Sequence, residues 1–290
     1  VQGTSSMRLN NGEISNKGIE LEIGSTIPIA RGIEWDGTAT FSYNRNRVLA
    51  LEQKPTNAYT LVYGSKSSTW MEGYDMNTLW SYKYGGLINK GSDSNPDWQP
   101  SIVGKDDVHQ TMSTWPTGDA MNISYMQGTT EAPVAASLNS SFKVYDFELS
   151  FILAGKFGHV FRRESFNYPS IKGLDFPNSK YREIIDCDPD ERVPLPYNDR
   201  EQNFSFWNRF YPFLSYLTES ASLIRVQEIN IGYNLPSKAT KWLGVNGLKV
   251  YFQTNNPFSI YFNSWGEDPE FPRGSNPLLS TYMFGIKCNF

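Results

Sequence analysis

The chain has few of the residues and motifs that most enzymes use for chemistry. Its 290 residues include only two histidines and two cysteines, which are His109, His159, Cys187 and Cys288. The sequence lacks a Walker loop, a zinc-binding His-Glu-x-x-His motif and a Gly-x-Ser-x-Gly motif. We therefore expect no structural disulfide and no enzymatic activity. Paired carboxylates for glycoside hydrolysis stay open, because only geometry can select a pair among 30 acidic residues.

Charge of one sign and long apolar runs are also missing. A formal net charge of -4, without a basic block, lacks the electrostatic footprint of nucleic-acid binding. No apolar run reaches the roughly eighteen residues that indicate a transmembrane helix. A transmembrane strand is signalled by alternation instead, so a mean hydropathy of -0.47 is compatible with a membrane protein. Residues 1–9 lack the charged and apolar regions of a secretory signal, so we expect an exported protein to extend beyond this chain.

Aromatic residues, by contrast, are abundant, and apolar side chains alternate with polar ones along several segments. Trp, Tyr and Phe make up 15% of the chain, which favours strands. Alternation with a period of two is typical of a strand with one apolar and one polar face. In the fifth segment the phase reverses near Gln227 and Glu228, which predicts a β-bulge. The seven segments are Ile19–Ile27, Trp35–Tyr43, Leu138–Val144, Phe147–Leu153, Ile224–Leu235, Leu248–Gln253 and Tyr282–Phe290.

The connections between these segments alternate between short and long. Short links are expected at Pro28–Gly32, at Tyr145–Asp146 and at Pro236–Val245, the last of which suits either one helical turn or an irregular turn. Outer-membrane barrels have short periplasmic turns and longer extracellular loops. The pattern therefore predicts an all-β fold, an antiparallel transmembrane β-barrel segment of about seven strands. Long extracellular loops are expected at about 52–133, 161–220 and 259–278, with the apolar stretch Leu79–Leu87 as a strand inside the first loop.

Several blocks of the sequence follow one another in a distinctive order. The first is NNGEISNKGIELEI at Asn10–Ile23, and the last is TYMFGIKCNF at the end of the chain. The blocks between them are Phe41–Leu51, Glu72–Leu87, Leu138–Gly158, Leu223–Pro236, Gly247–Tyr261 and Glu267–Glu270. In this order and spacing the chain resembles the C-terminal part of SusC/RagA-like TonB-dependent transporters. Residues 88–133 and 160–220 stay unmatched, as expected of variable outer loops, and Cys288 stands where the family usually has an aliphatic or small residue.

The resemblance implies a fold, a function and a set of partners. The fold is part of a barrel of about 22 strands with a plugged lumen. The function is TonB-dependent active import of an oligomeric nutrient, an oligosaccharide or an oligopeptide, across the outer membrane, without a cofactor. The implied partners are a SusD-like surface lipoprotein, the remaining barrel and plug of the same transporter, the TonB complex, the outer-membrane assembly machinery and the lipid bilayer. A passive porin-like barrel and a soluble glycan-binding β-sandwich are the alternatives that the strand pattern leaves open.

Two groups of loop residues are candidates for binding a ligand. Asp186, Asp188 and Asp190 lie beside Glu191 and would suit Ca²⁺, or they would form a solvated acidic loop, since the glycine and terminal glutamate of a calcium-binding hand are absent. Aromatic side chains of the long loops would either stack on sugar rings or peptide side chains, or pack the loops. These aromatic candidates are Trp98, Trp115, Trp207, Phe210 and Tyr211.

The alternation also assigns the two faces of the strands and a role for the last strand. Polar side chains are expected to face the lumen, namely Thr38, Thr40, Asn139, Asn230 and Gln253. Apolar side chains are expected to face lipid, among them Phe41, Phe151, Ile231 and Phe284. Because the last strand alternates up to an aromatic final residue, we expect Tyr282, Phe284, Ile286 and Phe290 to form a C-terminal assembly signal. An interfacial girdle residue is the alternative for Phe290.

Overall fold

A computed structural model of the chain describes residues 12–64, 68–95, 98–104, 107–111, 124–164, 211–242, 244–271 and 275–290. The chain divides into two units. The first, which we call the loop unit, comprises Val1–Asn16, Asn46–Thr130 and Val160–Glu219. The second, the sheet unit, comprises Lys17–Arg45, Glu131–His159 and Ser220–Phe290.

Nearly all regular elements are β-strands. The described helices are short, and none of them is long and apolar enough to cross a membrane. They are α1 (Ala58–Tyr63), α2 (Ser237–Trp242) and two 3-10 helices at Tyr211–Phe213 and Ser215–Leu217. In chain order the strands are β1 (Gly12–Ala30), β2 (Ile33–Leu51), β3 (Thr78–Tyr82), β4 (Tyr84–Asn89), β5 (Trp98–Val103), β6 (His109–Thr111), β7 (Ser124–Thr129), β8 (Val134–Val144), β9 (Phe147–Phe157), β10 (Val160–Arg162), β11 (Thr218–Ser220), β12 (Leu223–Asn234), β13 (Gly247–Tyr261) and β14 (Thr281–Asn289).

The seven strands that the alternation predicts form one antiparallel sheet, in the order β1-β2-β8-β9-β12-β13-β14. This confirms the all-β fold and the number of strands. The strands extend further than the alternation indicates, and β1 continues through Pro28 to Ala30. Proline is tolerated there because β1 is an edge strand of this sheet. The first turn is therefore shorter than predicted and contains only Arg31 and Gly32, whose φ of 78° favours glycine.

The register places apolar and polar side chains on opposite faces of the sheet. Side chains that lie directly opposite one another on paired strands point to the same face. One apolar row crosses six strands and consists of Trp35, Phe142, Leu149, Ile231, Phe252 and Phe284. The neighbouring polar row consists of Asp36, Ser141, Ser150, Asn230 and Gln253. The predicted division of the strands into two faces is confirmed.

A bulge in β12 keeps the two faces continuous. Val226 pairs with Leu153 of β9 and Glu228 pairs with Ile152, so Gln227 is an extra residue without a partner on β9. The extra residue reverses the alternation of β12 at the position that the sequence predicts. As a result the even-numbered residues of β9 share their face with Arg225 before the bulge and with Asn230 after it.

The apolar face of the sheet is exposed rather than packed in a core. Phe41 is 42% exposed, Ile231 46% and Phe284 80%. In a soluble sheet the apolar face is the one that packs against a second layer. Here the core residues cluster elsewhere, in the loop unit.

The core of the loop unit forms around α1 and the strands of the first long loop. Asn57 caps α1, since its side-chain oxygen accepts a 2.8 Å hydrogen bond from the Thr60 backbone N–H. The apolar stretch Leu79–Leu87 lies outside the seven-stranded sheet, as predicted, but it divides at Lys83 into β3 and β4, which belong to different small sheets. The buried cluster consists of Ala58, Leu61, Val62, Trp80, Tyr82, Ile102, Leu214 and Leu217.

The link between β12 and β13 contains α2, so the helical interpretation of Pro236–Val245 is confirmed. Its last turn is closed by Gly244, which has a φ of 73° and donates a 3.1 Å backbone hydrogen bond to Lys241. A left-handed glycine after the last helical residues is a common way to end a helix.

Candidate functional site on the polar face of the sheet

Charged side chains concentrate at two places on the polar face of the sheet unit. The first, which we call the arginine cluster, consists of Arg225, Lys156, Tyr261, Asp268 and Glu270. The second, the lysine pocket, is a concavity of about 420 Å³ whose charged members are Glu148, Lys249 and Lys287.

The arginine cluster joins three strands to the segment that follows β13. Arg225 is only 7% exposed, and its guanidinium donates hydrogen bonds of 3.2 and 3.0 Å to Asp268 and of 2.9 Å to Glu270. Lys156 donates a 2.5 Å hydrogen bond to the second oxygen of Glu270, and the Tyr261 hydroxyl donates a 2.9 Å hydrogen bond to Asp268. A buried cation is tolerated where carboxylates compensate its charge in this way.

Residues 262–271 are folded so that their carboxylates reach the polar face. The Asn263 carboxamide oxygen accepts hydrogen bonds from the backbone N–H groups of Trp265, at 3.2 Å, and Glu267, at 2.9 Å. The Phe271 ring lies with its centroid 5.7 Å from the Arg225 guanidinium carbon, a cation–π distance. Two members of the Glu267–Glu270 block, Asp268 and Glu270, therefore compensate the charge of Arg225, which lies 43 and 45 positions earlier in the chain.

Burial and neighbouring charges shift the pKa of Glu270, a member of this cluster, and the pKa of the nearby His159. Burial raises the pKa of the Glu270 carboxyl, but hydrogen bonds from Lys156 and Arg225 outweigh it, so the net pKa is lowered. The pKa of His159 is also lowered, because burial disfavours the imidazolium and Lys156 repels it, against the attraction of Glu270 and Glu131. At neutral pH the cluster therefore holds an ionised Glu270 beside a neutral His159.

The lysine pocket is centred on an ion pair that spans β9, β12 and β13. The Lys249 ammonium donates a short hydrogen bond to one oxygen of Glu148, and the Asn234 side chain donates a 2.9 Å hydrogen bond to the other. Both oxygens of this carboxylate thus have a donor. Lys287 lies directly opposite Lys249 on β14.

Two glycines, Gly232 in the lining of the lysine pocket and Gly285 on β14, leave room for side chains that line the pocket. A Cβ at Gly232 would lie 2.7 Å from the Lys249 Cε, so the lysine stem crosses the strand over this glycine to reach Glu148. A Cβ at Gly285 would clash with the Tyr251 ring, which lies across that glycine. Glycine is required at both positions because another side chain occupies the space above the backbone.

The structure describes few of the binding residues that the sequence predicts. Trp115, Trp207 and Phe210 and the acidic candidates Asp186, Asp188 and Asp190 all lie outside the described residues. Trp98 is the first residue of β5, and Tyr211 begins a 3-10 helix, but their side chains are not described. Within the described ranges no group of three or more His, Cys, Asp or Glu side chains is placed to hold a metal ion.

The residues of the predicted assembly signal are described and exposed. Tyr282, Phe284 and Ile286 pair with Thr254, Phe252 and Val250 and share the apolar face of the sheet. Their exposed fractions are 64%, 80% and 68%, and Phe290, just beyond β14, is 91% exposed.

Sequence reasoning did not find either charged site. Arg225 and Asp268 are 43 residues apart, and Lys249 and Glu148 are 101 residues apart, so the register of the sheet is needed to bring them together. The available signals were an arginine within an alternating strand and the acidic block Glu267–Glu270.

Comparison with known proteins identifies the fold through solved structures. No family model and no curated protein matches the chain. The RagAB peptide transporter matches with a TM-score of 0.64 and 17% identity over 97% of this chain and 29% of that chain. The RagAB peptide importer matches in its open-open state, with a TM-score of 0.62 and 15% identity over 96% and 29%, and in its closed-closed state, with 0.59 and 17% over 97% and 30%. This chain spans less than a third of the length of those chains, and nearly all of it shares its fold with that portion of them.

Proposed function

We propose that this chain forms part of the wall of an outer-membrane β-barrel transporter that imports an oligomeric nutrient. The observation that carries the proposal is the exposed apolar face of the seven-stranded sheet, with Phe41, Ile231 and Phe284 among its members. In a transmembrane barrel, apolar side chains that face lipid alternate along each strand with polar side chains that face the aqueous lumen. The polar face, with the arginine cluster and the lysine pocket, is then the lumen side.

Two observations favour this proposal over a soluble glycan-binding sandwich. A sandwich buries the apolar face of each sheet against the other, whereas here that face is exposed. The polar face also carries buried and paired charges such as Arg225, which suit a face lined with water and ligand better than a second apolar layer.

The proposal extends to the substrate and the partners. The similar solved structures are of a peptide transporter, which favours an oligopeptide over an oligosaccharide as the imported nutrient. In this proposal TonB supplies the energy, a SusD-like lipoprotein covers the outer loops, and the rest of the barrel and a plug complete the transporter. The chain performs no chemistry on the substrate and needs no cofactor.

The lipid-facing assignment can be tested with two adjacent positions on β13. Phe252→Cys and Gln253→Cys would each be made in the complete protein after Cys187→Ser and Cys288→Ser, labelled with a fluorophore and reconstituted in vesicles whose acyl chains carry bromine. We expect quenching at position 252 and little at position 253, because their side chains lie on opposite faces. Equal quenching at both positions would contradict the assignment.

Transport itself is tested by uptake of a labelled oligopeptide library into cells that produce the complete protein. We expect uptake that disappears when TonB is deleted. Uptake that persists without TonB would instead support the passive porin-like alternative.

A further inference from the structure

We propose that the lysine pocket binds one carboxylate group, on the lumen side of the wall. The carboxylate would come either from an acidic side chain of the imported oligopeptide or from another part of the same protein. The assignment of the source rests on the proposed function, whereas the carboxylate chemistry follows from the pocket itself.

The balance of charge in the pocket leaves one cation uncompensated. Lys249 is paired with Glu148, so these two groups neutralise each other. Among the described residues Lys287 has no hydrogen-bond or ion-pair partner, although it lines the same pocket. The pocket therefore carries a net charge of about +1, which a single carboxylate balances.

The register makes this excess charge unfavourable without a ligand. Lys249 and Lys287 are directly opposite each other on neighbouring strands. Side chains at such positions have Cβ atoms about 5 Å apart, and like charges there destabilise the sheet. An anion between the two ammonium groups would turn this repulsion into two charge-assisted hydrogen bonds.

The remaining polar groups of the pocket can accommodate a ligand that accepts hydrogen bonds. Both oxygens of Glu148 already accept hydrogen bonds, so they offer little to a cationic ligand. The hydroxyls of Ser150 and Tyr251 line the pocket and supply further donors. Tyr251 is held in place because its ring lies across Gly285, so this donor is positioned before a ligand arrives.

The size of the pocket suits a side chain or chain end of a peptide. Its volume of about 420 Å³ falls at the lower end of the range for small-molecule sites. Lys143 is opposite Glu148 on β8 but does not line the pocket, and Glu34 of β2 lies opposite Lys143, so the charge of this lysine is offset outside the pocket.

The experiment compares an acidic and a neutral probe on the complete protein in detergent micelles. The probes are acetyl-Gly-Glu-Gly-amide and its glutamine analogue, and binding is measured by calorimetry. Lys287→Met removes the charge and keeps the apolar stem, while Lys287→Arg keeps a cation. The matched control is Lys17→Met on β1, at the opposite edge of the sheet. We expect the acidic probe to bind, and Lys287→Met to weaken it at least about tenfold while Lys17→Met does not.

Two outcomes support the proposal and two overturn it. Binding of the acidic probe that depends on Lys287 indicates a site for the imported peptide. If the wild-type protein binds neither probe, a larger loss of melting temperature for Lys287→Met than for Lys17→Met, restored by Lys287→Arg, indicates a carboxylate from the same protein. Equal binding of both probes, or no difference between Lys287→Met and Lys17→Met in either measurement, would overturn it. Because no uptake is measured, these outcomes are independent of the transport test.

Discussion

Arg225 shows how a single charged residue is accommodated on a strand of this sheet. It is 7% exposed and is compensated by Asp268 and Glu270. We expect Arg225→Met to lower the free energy of unfolding by about 2 kcal/mol, because the two carboxylates would lose their partner while staying partly accessible to water. Thermal unfolding of the complete protein in detergent would measure the change.

The control for Arg225 is an exposed ion pair of the loop unit. Lys54 pairs with Glu72 at 2.5 Å, but the lysine side chain is 54% exposed. Lys54→Met should therefore change the melting temperature little. Equal losses of melting temperature in the two variants would show that burial of the arginine cluster contributes nothing to stability.

His159 predicts a dependence of stability on pH. Its pKa is lowered chiefly by burial, and its Nδ1 has no hydrogen-bond partner among the described residues. The pKa of a histidine in the unfolded chain is about 6.5, so a neutral His159 favours the folded state. This stabilisation is complete above that pH and is lost as the pH falls through the lower pKa of the folded state. We expect His159→Gln to flatten the decline in melting temperature just below pH 6.5. An unchanged decline in this variant would assign it to carboxyl groups instead.

At the scale of elements, the bulge of β12 determines on which face of the sheet each residue of the strand lies. Deleting Gln227 would restore simple alternation and move Arg225 to the apolar face. Arg225 is the third residue of β12, so on the proposed lipid face it would lie near the interface, where an arginine costs no more than about 1 kcal/mol. The larger cost is the loss of the arginine cluster, which would leave Asp268 and Glu270 without their buried cation. We expect the deletion to abolish recovery of folded protein from the outer membrane, whereas Gln227→Ala, which keeps the extra residue, should be recovered at nearly the wild-type level. Folded deletion protein at wild-type level would contradict this role of the bulge.

A second prediction at this scale concerns Phe290, the aromatic residue just beyond the last strand. Phe290 is 91% exposed, so its loss removes little packing within the described residues. If it is part of an assembly signal, deleting it should sharply lower the amount of protein in the outer membrane, as measured by quantitative immunoblotting of membrane fractions, while Phe290→Tyr should not. If it is only a girdle residue, the deletion should cost no more than about 1.5 to 3 kcal/mol of stability and leave the level unchanged.

The elements were more predictable from the sequence than the charged sites. Alternation reports the difference between the two faces, so all seven strands of the sheet and the bulge at Gln227 could be predicted. Alternation fades where both faces are polar, and for this reason the predicted β1 began at Ile19 whereas the strand begins at Gly12. The contacts of Arg225 and Lys249 depend on register between distant strands, which no local pattern encodes.

At the scale of the whole molecule, the two outer strands of the sheet determine whether the chain can stand alone. β1 and β14 are the ends of the strand order, so each has one edge without a partner in this sheet. In lipid no water can satisfy the backbone groups of such an edge, and each unsatisfied group costs several kcal/mol. An open sheet with an exposed apolar face is therefore expected to aggregate.

We accordingly expect residues 1–290, produced alone, to give no monodisperse folded monomer in detergent, whereas the complete protein should give one. Size-exclusion chromatography with light scattering would compare the two samples, and resistance to protease would report whether the sheet is formed. A closed barrel removes both edges, because further strands would pair with β1 and β14. A stable monomer of the isolated chain would show that its edges are satisfied internally, and would contradict the proposal that this sheet is one part of a larger barrel wall.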